Sequence, residues 1–279
     1  MTPNLITLRV WGDFACFTRP EMKVERVSYP VMTPSAARGV LEAVFWEPQM
    51  YYLIDSIRIV KKGRWISFRR NEVTKVINVD SAKTWMRSPD KSMPIQAGAG
   101  AGDFTQRNML ALEDVEYLIT ADVRLTSLAS PSQDPASKYL AEIERRARLG
   151  KCFHRPALGM REFAADFEWE PDPEDALIRR STELGQAPDQ FNEDVGIMLY
   201  DVFDHHEREI GFRWLRDEEL AVLAPQLWPK RGAKRGEQPR SKGTVVQPCA
   251  AFFRARIQQS KLDCHPDRVQ ILTSASRSH

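Results

Sequence analysis

From Val115 to Leu125 the chain alternates without interruption, with Val115, Tyr117, Ile119, Ala121, Val123 and Leu125 on one side and Glu116, Thr120, Asp122 and Arg124 on the other. A period of two sustained over this length excludes a helix and predicts a strand with one buried face. Such a strand needs partners, and the chain supplies candidates. Leu5 to Phe17 opens with Ile6, Leu8 and Val10 alternating against Thr7 and Arg9, and Tyr51 to Val60 is rich in β-branched and aromatic residues. Between these two lies a helix signal. Thr33 is an N-cap followed by Pro34 at the first helical position, and Ala36, Ala37, Val40, Leu41, Val44 and Phe45 recur at three-four spacing before Pro48. Asp134-Pro135 repeats the cap-plus-proline signal, and Ala136, Tyr139, Leu140, Ile143 and Ala147 form a second stripe that ends at Gly150, a natural C′ residue. Phe163, Ala165, Phe167 and Trp169 read as a further strand, as does much of Gly196 to Phe203.

Strand, helix, strand is the opening order of ferredoxin-like and RNA-recognition folds, so the reading is α+β. The N-terminus carries no basic-then-apolar signal peptide, and no apolar run approaches the roughly 20 residues of a membrane span. A soluble, cytoplasmic protein with no membrane partner is therefore expected. Cys16, Cys152, Cys249 and Cys264 are scattered, which argues against a disulfide framework or zinc ribbon, and His205-His206 and Cys264-His265 lack metal-ligand spacing. No metal and no cofactor are expected. Gln96 to Asp103 is a glycine-alanine run without the Lys-Ser/Thr ending of a phosphate-binding loop, so it reads as flexible.

The formal net charge is only +2, but the charges segregate. Arg58 to Lys75 holds seven basic residues against Glu72, Lys138 to Arg161 seven against Glu142 and Glu144, and Lys230 to Lys242 six against Glu237. The balancing acid includes Asp166 to Asp175. Basic tracts held apart from acidic ones suit a polyanion-binding face, although solvated helix faces and loops give the same pattern. Lys230 to Lys242 reads as a loop that is disordered or ordered by RNA, and Ser274 to His279 as a frayed tail.

The run Arg9 to Tyr29 (RVWGDFACFTRPEMKVERVSY), followed by Met32 to Ala43 (MTPSAARGVLEA), closely resembles the type I-C branch of the fifth CRISPR-associated protein family. Arg69-Arg-Asn-Glu-Val73, Gln106-Arg107 and Gly150 to Phe163 (GKCFHRPALGMREF) reinforce it, and the resemblance extends from Leu5 to about Phe203. It implies a ferredoxin-like repeat-associated (RAMP) fold in residues 1–203, with residues 204–279 forming a small, divergent β-rich lobe. It also implies a precursor CRISPR RNA endoribonuclease that works without metal and then holds the 5′ handle. The implied partners are CRISPR RNA (repeat hairpin and 5′ handle) and the backbone and large subunits of a Cascade complex. Target DNA is a further partner, open for the Lys230 to Lys242 loop.

In that branch a tyrosine ending the first helix and a lysine-histidine pair opening a later helix are associated with cleavage. Lys138 carries over; the tyrosine position is Phe45 and the histidine position is Tyr139. Attack by a ribose 2′-OH needs a proton acceptor, a cation near the developing phosphorane and a donor for the leaving oxygen. Two readings stay open. Lys138, Tyr139 and His154 form a replacement catalytic set, with Tyr29 as an alternative base, or the chain is a non-catalytic scaffold that binds the handle. Tyr139 also lies on the apolar stripe, and His154, flanked by Phe153 and Arg155, suits either RNA contact or a structural loop. Arg19, Lys23, Arg26, Tyr29, Arg69, Arg70, Arg107, Arg145 and Arg155 are the candidate RNA-binding residues.

Overall fold

A computed structural model describes residues 4–75, 77–93, 95, 100, 102–130, 132–202 and 250–273. The 203/204 boundary, His205-His206, Cys249, the Lys230 to Lys242 loop, the Ser274 to His279 tail and residues 96–99 and 101 of the glycine-alanine run lie outside these residues. In chain order the elements are β1 (Leu5–Ala15), β2 (Arg26–Val27), α1 (Pro34–Val44), β3 (Met50–Lys61), β4 (Arg64–Val73), α2 (Val79–Arg87), β5 (Phe104–Leu125), α3 (Ala136–Arg148), β6 (Asp166–Trp169), α4 (Pro173–Glu183), β7 (Glu193–Asp201), β8 (Ala251–Gln258), β9 (Lys261–Asp263) and β10 (Ile271–Thr273). None of these helices is long and apolar enough to cross a membrane.

β3, β5, β1 and β6 lie side by side in that order, each antiparallel to its neighbour. With α1 after β1 and α3 after β5, this is the β-α-β-β-α-β ferredoxin-like plan that the sequence pointed to. One face of the sheet packs Leu8, Val10, Tyr117 and Ile119 against Val40, Leu41 and Val44 of α1 and Tyr139 and Ile143 of α3. Thr33 caps α1 as its sequence predicts, its hydroxyl accepting from the Ala36 amide at 3.2 Å. Asp134 does not cap α3, because Pro135 occupies the N-cap position and the Asp134 carboxylate accepts instead from the Ser130 amide at 3.0 Å.

The strand foreseen from Val115 begins much earlier, at Phe104. Its first ten residues pair with β4, from Val73 opposite Phe104 to Arg64 opposite Glu113. The result is a hairpin arm about 33 Å long at ~3.3 Å per residue. The arm turns out of β3 at Gly63, whose φ of +80° and lack of a side chain are both needed, since a Cβ there would lie 2.8 Å from the Glu113 carbonyl oxygen. Phe68 on the arm meets Phe14 of β1 and Phe163, with centroids 5.1 and 6.0 Å away, which fixes the arm to the body. β4 carries no buried residue, so its alternation is hidden among charges.

Residues 250–273 join the main sheet and core. Phe253, Ala255 and Ile257 alternate into the main core, β8 pairs with β7, and β9 pairs with β3 through Ser56 to Arg58. The second face of the sheet also differs from expectation. Glu116 was assigned to the polar side of its strand, yet it is only 2% exposed, because α4 packs Ala176 and Leu177 over Leu118 and Val60. Arg9 donates to Glu116 at 2.7 Å, and Arg180 donates through two nitrogens at 2.7 and 2.9 Å. Burial pushes the Glu116 carboxyl up, and the hydrogen bonds and charges of Arg180 and Arg9 outweigh it, leaving the group below its usual range. The stabilisation is therefore complete above the unfolded carboxylate value near ~4.3 and is lost as pH falls through the lower folded value. Glu116→Ala, which strands two arginines, should cost about 3 kcal/mol in urea denaturation at pH 7, with the deficit shrinking in acid.

Candidate nucleic-acid interface

A helix leaves its last carbonyls without intrahelical partners. At the end of α1 these are filled by the segment that follows α3. The Phe153 amide donates to the Ala43 and Val44 carbonyls at 2.9 and 3.3 Å, and the His154 amide donates to Ala43 at 2.9 Å. The chain then doubles back onto β1, where the Cys16 amide donates to the Leu158 carbonyl at 3.0 Å. Gly159 passes so close to β1, with φ of +84°, that a Cβ would sit 2.1 Å from the Cys16 carbonyl oxygen. Between α1, the end of β1 and this segment lies an open cleft of about 530 Å³. Thr18, Ser35, Gly39, His154, Arg155 and Arg161 line it, offering hydroxyls, an imidazole and two guanidinium groups. His154, Arg155 and Arg161 are exposed, and Arg155 lies 3.8 Å from the Asp166 carboxylate.

The other two predicted catalytic residues, Lys138 and Tyr139, lie in the first turn of α3. Phe45 stacks on Tyr139 with a centroid distance of 6.4 Å and an interplanar angle of 28°. Tyr139 is fully buried, and its hydroxyl donates to Asp134 Oδ1 at 2.7 Å. Burial first, then the Asp134 carboxylate, pushes the phenol above its ordinary value, so it stays protonated and turned inward. Lys138 is half exposed, with its ammonium 2.9 Å from the same Asp134 oxygen. The Ser130 amide, the Tyr139 hydroxyl and the Lys138 ammonium hold the Asp134 carboxyl down at about 2. Lys138 and Tyr139 thus share one carboxylate, while His154 is held by its amide on the Ala43 carbonyl and lines the cleft.

The arm gathers some candidates and separates others. Arg70 and Arg107 are directly opposite across β4 and β5, hence on one face, and Arg70 donates to Glu162 at 2.8 Å. Arg26 joins them, 3.8 Å from Glu72 and 3.5 Å from Met160 Sδ. Arg69, adjacent to Arg70 on a strand, points to the opposite face; the sequence reading had grouped the two. Lys23 is exposed, and no ion pair is found for it among the described residues. Arg19 lies 4.6 Å over the Tyr29 ring, and Tyr29 itself is buried, its hydroxyl accepting from the Leu199 amide at 3.2 Å. Tyr29 therefore offers no surface to RNA. Arg145 sits on the outer face of α3, held by two hydrogen bonds to Glu142 at 2.9 and 2.7 Å.

Much of the apparent basic excess is matched across the fold. Lys61 pairs with Asp114, Lys62 with Glu193, Arg64 with Glu113, Arg58 with Glu174 and Arg148 with Glu144. These partners lie far away in sequence or on the next helical turn, which is why a count along the chain overstated the free charge. Arg161, Ser35 and Thr18 line the cleft and Phe153 is exposed beside His154, and none of the four is among the candidates named from the sequence. Proximity of Arg161 to Gly159 was the available signal. Among the described residues no group of three or more His, Cys, Asp or Glu is arranged to hold a metal ion.

The family model for the CRISPR-associated protein Cas_Cas5d matches residues 5–259. The chain belongs to this Cas5d family. A relative from Mannheimia succiniciproducens named CRISPR pre-crRNA endoribonuclease Cas5d is 41% identical over 211 residues, covering 75% of this chain and 90% of its own length. A Cas5d relative of the same name from Thermus thermophilus is 36% identical over 275 residues, covering 98% and 97%. A crystal structure of a CRISPR-associated protein superposes with a TM-score of 0.52 at 17% identity, covering 94% of this chain and 91% of that one, which shows a common fold.

The two glycines of the cleft give opposite expectations. Gly159→Ala meets the Cys16 carbonyl and an unfavourable φ, and should cost about 2–4 kcal/mol and displace His154, Arg155 and Arg161. At Gly39, within α1, a Cβ meets nothing within 4 Å, so Gly39→Ala should stabilise the fold by about 0.5–1 kcal/mol. Thermal melts of both variants decide the matter.

Proposed function

We propose that this chain binds the repeat hairpin of precursor CRISPR RNA, cleaves beside it, and keeps the resulting 5′ handle as a subunit of a type I-C Cascade complex in the cytoplasm. The observation that carries the reading is an exposed histidine and arginine that the segment after α3 holds at the end of α1 beside an open cleft, in a chain whose relatives are named pre-crRNA endoribonucleases. In this reading the 2′-OH next to the scissile phosphate attacks that phosphate, giving a 2′,3′-cyclic phosphate and a free 5′-OH. His154 takes the 2′-OH proton, water gives a proton to the leaving 5′ oxygen, and Lys138 and Arg155 stabilise the charge that develops on the phosphorane oxygens. Tyr139 acts through Asp134, helping to hold the carboxylate that orients Lys138. Arg26, Arg70 and Arg107 carry phosphates along the arm, and the Lys230 to Lys242 loop is assigned to target DNA.

A second reading has its own support. Phe45 and Tyr139, at the positions where the resemblance expects a tyrosine and a histidine, are stacked in the core and offer no proton to RNA. A scaffold that holds the handle without cutting it fits that feature.

Incubating the purified chain with repeat hairpin RNA in EDTA separates the two. Cleavage should leave a 2′,3′-cyclic phosphate end. Lys138→Ala and His154→Ala should each slow it about 100-fold or more, while binding changes by less than about threefold. Tight, salt-sensitive binding of the handle by the wild type with no product would establish the scaffold and sink the nuclease.

A further inference from the structure

The segment that closes the cleft leaves one large apolar side chain in water. Phe153 is 74% exposed, although burying a phenyl ring is favourable and the core is only a few residues away. It is not there because the segment is loose. Its amide and that of His154 are fixed on the terminal carbonyls of α1, so the ring stands on a rigid base. The His154 ring braces it edge-on, with centroids 4.5 Å apart and planes at 67°. Lys151 and His154 beside it are exposed, and Arg155 follows with 72% of its side chain exposed.

We propose that Phe153 is a stacking platform for an unpaired nucleobase of the bound RNA, the base belonging to the nucleotide whose ribose lies against His154. This deepens the function proposed above and rests on it. An exposed aromatic face flanked by cations is the chemistry of single-stranded RNA recognition, in which the ring takes the base and the cations take the phosphates on either side. The charge of the segment favours RNA over a protein surface: Lys151, Arg155 and Arg161 are exposed in the same segment, and the only other large exposed apolar residue in it is Leu149 at 57%. A protein interface would need a broader apolar patch. A base stacked here turns its sugar toward the cleft, which places the reacting 2′-OH beside His154. The ring also comes at little entropic cost, since its backbone is already fixed.

Full-length wild type, Phe153→Ala, Phe153→Leu and Phe153→Trp, each checked by its melting curve, would be titrated with two repeat RNAs: the hairpin with its single-stranded flank and the hairpin alone. The flank would carry 2-aminopurine near the cut. Phe153→Ala should bind flanked RNA about 10-fold more weakly, bind the bare hairpin unchanged, keep the wild-type salt slope and lose the 2-aminopurine quenching. Phe153→Trp should match or exceed the wild type, and Phe153→Leu should behave like Phe153→Ala. Wild-type affinity in Phe153→Ala overturns the platform, and full rescue by leucine overturns it in favour of an apolar contact with a protein partner. If the wild type binds neither RNA, the proposed function itself fails and the platform with it.

Discussion

One strand governs the molecule. β5 runs for 22 residues, and its two halves belong to different parts of the structure: the second half is the centre of the ferredoxin-like sheet between β1 and β3, and the first half is the spine of the arm with β4. Because side chains alternate strictly along a strand, a one-residue slip would exchange Tyr117 and Ile119 for Glu116 and Leu118 at the core and would reverse both faces of the arm. The buried Glu116, gripped by Arg9 and Arg180, and the aromatic group at the arm's root hold the register from both sides of the point where β5 changes partners. The position of Arg70 relative to the cleft follows from that register.

The charges show how a near-neutral chain presents a cationic surface. Carboxylates occupy most of the arginines and lysines that a linear reading counts as free, and they hold those side chains extended. Glu162 on Arg70 and Glu72 near Arg26 are in positions that a phosphate would take over. Among the described residues, Arg155 and Arg161 in the segment after α3 stand exposed. Charge density and preorganised geometry coincide there, and this favours a defined strand path over diffuse adhesion.

Elements that carry a sustained apolar period or a dense β-branched and aromatic run were legible in the sequence: β1, α1, β3, the second half of β5, and α3. The elements that were missed share a physical reason. β4 buries no residue fully and its half-buried Ile66 and Phe68 alternate with charges further along the strand, α4 is read only as part of an acid cluster, and β8 to β10 lie beyond His205, where the sequence reading assigns no elements. Asp134 was seen at the right place with the wrong role, since an Asp-Pro pair signals a cap but does not reveal that a tyrosine five residues on will claim the carboxylate. The separation of Arg69 from Arg70 needed only the knowledge that they lie on a strand. Convergence of the Phe153 segment on the end of α1 could not be read, because orphan helix carbonyls leave no mark in composition.

The way β9 completes the sheet bears on how the protein is made. Ser56 to Arg58 of β3 are synthesised early, yet the backbone that pairs with them is Lys261 to Asp263, some 200 residues further along. Until that late strand leaves the ribosome, β3 shows a bare edge beside an apolar sheet, the kind of surface that recruits stray strands from other chains. The edge of β3 is therefore open for most of the time the chain is being made.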